Sequence, residues 1–179
     1  MWLMKRMLLL TGLLLFSVCI LGQNNDITTT TLQGNGYTYV KRYKHALVEL
    51  YNSENTYVDV PLVYKSTGER PPFELREQRV VEDGWSHDKT MSIINNAFSI
   101  DQRLSVSDRK FGIAIYINST TGRISDVRFV FLERGPFSQI PLSVFREIEV
   151  KLKEEVYFTL TEAGRNVNYV FFYWNHEVK

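Results

Sequence analysis

Cysteine is almost missing: the 179 residues contain one, Cys19, inside an apolar run near the amino terminus. Once that run is removed, disulfides, thiolate metal sites and a cysteine nucleophile are all excluded. Histidine is scarce as well, with His45, His87 and His176 far apart in the chain. No HxxxH, HxH or Gly-x-Ser-x-Gly spacing surrounds them, so no metal site, hydrolase triad or cofactor is expected. Charge of one sign is missing too, because 21 Lys and Arg stand against 20 Asp and Glu. Without a basic excess or a basic block there is no electrostatic case for a nucleic-acid partner. Proline is absent before Pro61.

The one long apolar stretch runs from Met7 to Leu21, about 15 residues, after a basic start at Lys5 and Arg6. It is short of the roughly 20 residues that a spanning helix needs, and small Gly22 precedes Gln23. These features predict an export signal over 1–22 with cleavage between Gly22 and Gln23, and no stable membrane span afterwards. A retained anchor is the alternative. The expected address is the periplasm or the exterior of a Gram-negative cell. About 157 residues would remain, with 19 basic against 20 acidic side chains, enough for a single domain over 37–179.

Residues 23–36 hold four consecutive threonines, Thr28 to Thr31, with only Ile27 and Leu32 as large apolar residues. They are expected to form a flexible polar leader. In the strand-rich extension over 37–85, Ala46 to Tyr51 and Thr56 to Tyr64 flank Asn52-Ser53-Glu54-Asn55, which predicts a hairpin. Tyr39, Tyr43, Leu47 and Leu50 also recur at helical spacing, so a helix is the alternative there. Thr67 to Asp83 starts as a loop around Gly68 and Pro71-Pro72.

Ser86 or Asp88 is expected to cap a helix carrying Met91, Ile94 and Phe98 on one face, fraying around Asp101 to Asp108. Phe111, Ile113, Ile115 and Ile117 alternate, as do Val127, Phe129 and Phe131 after the turn Asn118 to Gly122. That period of two predicts a sheet with one buried face. Pro141 opens an amphipathic helix with Phe145, Ile148, Leu152 and Val156 as its buried stripe. Glu147 with Lys151 and Glu149 with Lys153 are acid-before-base pairs expected on its exposed side. Val167 to Trp174 closes the chain as an aromatic strand. The predicted fold is α+β: an antiparallel sheet (hairpin, helix, strand) packed on one main helix.

On Gly122, Ile124 and Val127 in the second strand, Phe158 after the helix, and Gly164-Arg165 before the last strand, residues 86–179 resemble the C-terminal domain of the TonB energy-transducer family. The resemblance implies that the last strand lies at a sheet edge and pairs with an extended peptide from a partner. Absence of proline before Pro61 departs from the proline-rich spacer of such transducers, so the module is expected without the transducing task. The whole chain also resembles short exported bacterial proteins of unknown function.

Three constellations hold candidate residues. Trp85-Ser86-His87-Asp88 brings a Ser, a His and an Asp together, but sequence neighbours rarely adopt nucleophile, base and orienter geometry, and a helix cap accounts for them. Glu147, Glu149, Glu154 and Glu155 read as a solvated helix face. Tyr37, Tyr39, Tyr43, Tyr51, Tyr57 and Tyr64 are recognition candidates that strand packing also explains. The favoured function is an exported, non-enzymatic cell-envelope module that binds a peptide or protein along Asn168, Tyr169, Val170, Phe171, Phe172 and Tyr173. Alternatives are an envelope hydrolase using His87 or His45 with distant carboxylates, and a membrane-anchored transducer component.

Overall fold

The computed structural model describes residues 27–72, 79–81 and 84–179. The expected signal over 1–22, with its Gly22–Gln23 cleavage point, lies outside the described residues. The protein is α+β, with one antiparallel six-stranded sheet and several helices. Its strands are β1 (Thr28–Gly34), β2 (Tyr37–Lys44), β3 (Leu47–Asn52), β4 (Lys110–Asn118), β5 (Ile124–Leu132) and β6 (Tyr169–Glu177). They lie in the order β1-β2-β3-β5-β4-β6. The helices are α1 (Trp85–Ala97), α2 (Ile100–Ser105), α3 (Leu142–Glu155) and α4 (Glu162–Arg165), with a 3-10 turn at Pro136–Gln139.

Alternation decides the main core. Phe111, Ile113, Ile115 and Ile117 of β4 and Val127, Phe129 and Phe131 of β5 face one way and are almost wholly buried. Against them pack Ile93 and Ile94 of α1 and Phe145, Ile148 and Leu152 of α3, the stripe read from the sequence. Pro141 stands at the N-cap of α3, one residue before the helix proper, where a missing N–H costs nothing.

The amino-terminal half differs from its sequence reading. Thr28–Gly34 is not a leader but a strand, in register with β2 from Thr28 opposite Tyr43 to Gly34 opposite Tyr37. β-branched threonines suit extended backbone, and the two-residue Asn35-Gly36 loop, with Gly36 at φ 77°, is the favoured hairpin chemistry. Burial was the wrong criterion, since all four threonines are exposed and the strand is held by pairing. The second hairpin joins β2 to β3 through His45-Ala46, so Ala46 to Tyr51 pairs backwards rather than with Thr56 to Tyr64. The latter segment is not a strand. It crosses the sheet face opposite the helices because the Asp126 carboxylate accepts the Thr56 and Tyr57 N–H groups at 2.8 and 2.7 Å.

As a result the centre of the sheet is buried on both faces. Ala114, Tyr116 and Tyr169 form a small second core under Tyr57 and Leu62. Capping also differs. Gly84, at φ 66°, precedes α1 without a side-chain cap, and Ser86 is buried inside the helix. Ser99 instead caps α2 in a reciprocal box with Gln102, which orders a stretch expected to fray.

Candidate functional site

β6 is the terminal strand on one side of the sheet. Asn118 donates its N–H to the Arg123 carbonyl on the β5 side. Alternation along β4 therefore turns Ile113, Ile115 and Ile117 toward β6, where Trp174, Phe172 and Val170 are their register partners. The main-chain groups of Phe171, Tyr173 and Asn175 consequently point outward. Just before the strand, Asn168 donates to Val63 O at 3.0 Å and Lys65 to Asn166 O at 2.8 Å. Among the described residues no segment pairs with the outer side of Tyr173 to Glu177.

The six residues expected to form this edge divide by role. Asn168 is a clamp, its amide bonding Pro61 O and accepting from Val63 N, both at 3.0 Å. Val170 belongs to the main core, and Phe172 stacks between Phe158 and Trp174. Tyr169 and Phe171 line a cavity of about 400 Å³ on the opposite face. Tyr173 is half exposed and lies over Gly112, where a Cβ would sit 2.0 Å from its hydroxyl. Glycine at 112 thus makes room for an aromatic ring on the strand surface.

Tyr116 and Arg128 complete the sheet side of the cavity. Leu62, Pro71, Pro72 and Arg79 form other parts of its lining. The Arg128 guanidinium lies 5.9 Å from the Tyr116 ring centre and 3.5 Å from Glu49. Glu49 is shared with Arg42 at 3.6 Å, while Arg42 makes its close fork to Asp59 at 2.7 and 2.6 Å. That fork holds the Asp59 carboxyl below its ordinary range. Burial pushes Tyr116 up to about 12, so its hydroxyl stays protonated at neutral pH.

A second polar cluster lies on the helix side. Glu149, expected in solvent, is fully buried between α3 and the β2–β3 hairpin. Its carboxylate accepts from the Tyr39 hydroxyl, Asn52 at 3.3 Å, Arg146 at 3.0 Å and Lys153 at 2.7 Å. Burial pushes its pKa up, but the donors prevail and hold it below the ordinary carboxylate value. Glu147 keeps the expected exposed pair with Lys151 at 2.7 Å.

Of the tyrosines, Tyr39 is core, Tyr51 is buried beneath the Arg42 guanidinium, and Tyr57 packs on Tyr116 and Tyr169. Tyr37, Tyr43 and Tyr64 are partly buried against the main core. The histidines do not converge. His87 faces Asp88 at 3.5 Å with both side chains mostly exposed, His176 bonds Asn95 at 2.9 Å, and His45 occupies the β2–β3 turn. Among the described residues no group of three or more His, Cys, Asp or Glu is placed to hold a metal, and no helix is long and apolar enough to cross a membrane.

Residues 25–174 match the family described as Domain of unknown function (DUF5043). The chain belongs to the DUF5043 family. A DUF5043 family protein from Bacteroides uniformis ATCC 8492, solved by crystallography at 1.85 Å resolution, is similar at 30% identity with a TM-score of 0.81. The similarity covers 88% of this chain and 90% of that one. No curated protein matches. The matched span contains the edge of β6 as far as Trp174 and the whole cavity, whereas a kinship with the energy transducers is not among these findings.

Proposed function

We propose that this DUF5043 protein is an exported, non-enzymatic binding module of the cell envelope that takes an extended peptide segment of a partner protein along β6. The observation that carries the reading is the position of β6 at the end of the sheet, with the peptide groups of Tyr173 and Asn175 directed away from β4. A strand edge supplies alternating donors and acceptors, and neighbouring side chains add selectivity. Val63 to Lys65 pairs with Asn166 to Asn168 just before β6 begins and leaves Tyr173 to Glu177 open. The apolar run Met7 to Leu21 after Lys5 and Arg6 supports export.

The test is capture of envelope proteins by cross-linking, comparing wild type with Tyr173→Pro and Tyr173→Ala. Proline removes the outward N–H while alanine keeps it. Loss of capture with proline alone, in variants that unfold at similar temperatures, is the expected result. Equal capture by all three proteins overturns edge pairing.

A further inference from the structure

We propose that the cavity between the outer sheet face and the 57–72 segment binds a small carboxylate with a flat apolar body. This site lies on the sheet face beside the β6 edge, shares Tyr169 and Phe171 with it, and differs from it in chemistry. Tyr116, Tyr169 and Phe171 give it an aromatic floor, and Leu62, Pro71 and Pro72 give it apolar walls. A volume of about 400 Å³ falls within the range of small-molecule sites, which are mostly apolar with a few placed polar groups.

Two guanidinium groups line the cavity, Arg79 and Arg128, and Arg128 is the one on the sheet floor. Its side chain is only 17% exposed, and Glu49, its ion-pair partner at 3.5 Å, also serves Arg42. Arg128 Nε is buried and has no hydrogen-bond partner among the described residues. A guanidinium offers five N–H groups in a planar fork that fits a carboxylate, and Arg128 lines the cavity with the exposed part of its side chain. Nearby Asp126 does not compete for it, because Asp126 accepts from Thr56 N, Thr56 Oγ1 and Tyr57 N. The surrounding rings explain the rest of the preference: Tyr116, Tyr169 and Phe171 lie against one another in the lining, with the pairs tilted, and a flat apolar body can lie on their faces.

Isothermal titration of the purified chain with 2-naphthoate and with neutral 2-naphthamide tests the site. Naphthoate should bind at least tenfold more tightly than the amide, and Arg128→Gln should cut that difference several-fold, with Arg79 as the cation that remains in the lining. Equal binding of the two, no binding of naphthoate at millimolar concentration, or a preference unchanged in Arg128→Gln would overturn the proposal. If Arg128→Gln fails to fold, NMR of wild type with naphthoate decides: contacts between the ligand and the Leu62 methyls and Tyr116 or Tyr169 rings are expected. Contacts elsewhere would overturn it. Tyr173→Pro, which bears on the β6 edge, should leave naphthoate affinity within about twofold.

Discussion

Glu149 shows how a helix position acquires a role that its helical neighbours do not reveal. Spacing of four predicts contact with Lys153, and that contact exists at 2.7 Å. What spacing cannot supply is the β2–β3 hairpin, which lays Tyr39 and Asn52, opposite one another in register, over the same carboxylate. Removing that acceptor strands a buried tyrosine hydroxyl and two partly buried cations. Glu149→Ala should therefore destabilise the protein by about 2–4 kcal/mol, less than a fully buried pair because Arg146 and Lys153 keep some solvent. Urea denaturation at neutral pH measures it. The sign of the pH dependence follows from the depressed carboxyl: its contribution is complete above the unfolded value near 4.5 and is lost as pH falls through the lower folded value. His176 is held low by burial first, then by Lys179 and His87, so it loses stability from about 6.5 downward. In Glu149→Gln the fall below pH 4.5 should flatten while the fall that begins near 6.5 persists.

At the scale of elements, the carboxyl-terminal half was legible because its cues are local. Alternation over Phe111 to Phe131, the Asn118 to Gly122 turn and the stripe from Phe145 to Val156 each declare a strand, a hairpin or a helix on their own. The turn also holds a long-range contact: Phe158 donates its N–H to Gly122 O at 2.8 Å. Gly122 has φ 73°, and a Cβ there would sit 2.1 Å from the Phe158 carbonyl oxygen. Left-handed backbone alone costs alanine about 1 kcal/mol, and the clash is with backbone rather than a movable side-chain tip. Gly122→Ala should cost about 2–4 kcal/mol in thermal or urea unfolding. Gly36, also left-handed but with no atom within 4 Å of a Cβ, should lose only about 1 kcal/mol as Gly36→Ala. Equal losses at the two positions would show that the Phe158 contact has no energetic weight.

Across the whole molecule, long-range arrangement was the illegible part. Neither the sheet order β1-β2-β3-β5-β4-β6 nor the folding of Thr56 to Tyr64 over the second face leaves a periodic mark, because both depend on residues far apart such as Asp126 with Thr56 and Asn168 with Pro61. For the same reason the aromatic cavity is hidden in the sequence, although Tyr169 and Phe171 stand out there as residues of the last strand. The sheet order also grades stability. β4 and β5 lie between other strands and are buried by helices on one face and by Tyr57 and Leu62 at the centre of the other. Among the described residues β1 pairs only with β2, is exposed at Thr28 to Thr31, and reaches the main core through Leu32. Opening β1 therefore exposes little apolar surface, while opening β4 dismantles both cores. Native-state hydrogen exchange should find the β4 and β5 amides exchanging only with global unfolding. The β2-facing amides of β1 should exchange through a local opening about 2 kcal/mol or more below that level. Equal protection of β1 and β4 would mean that the sheet opens as one unit, with pairing rather than core burial setting its stability.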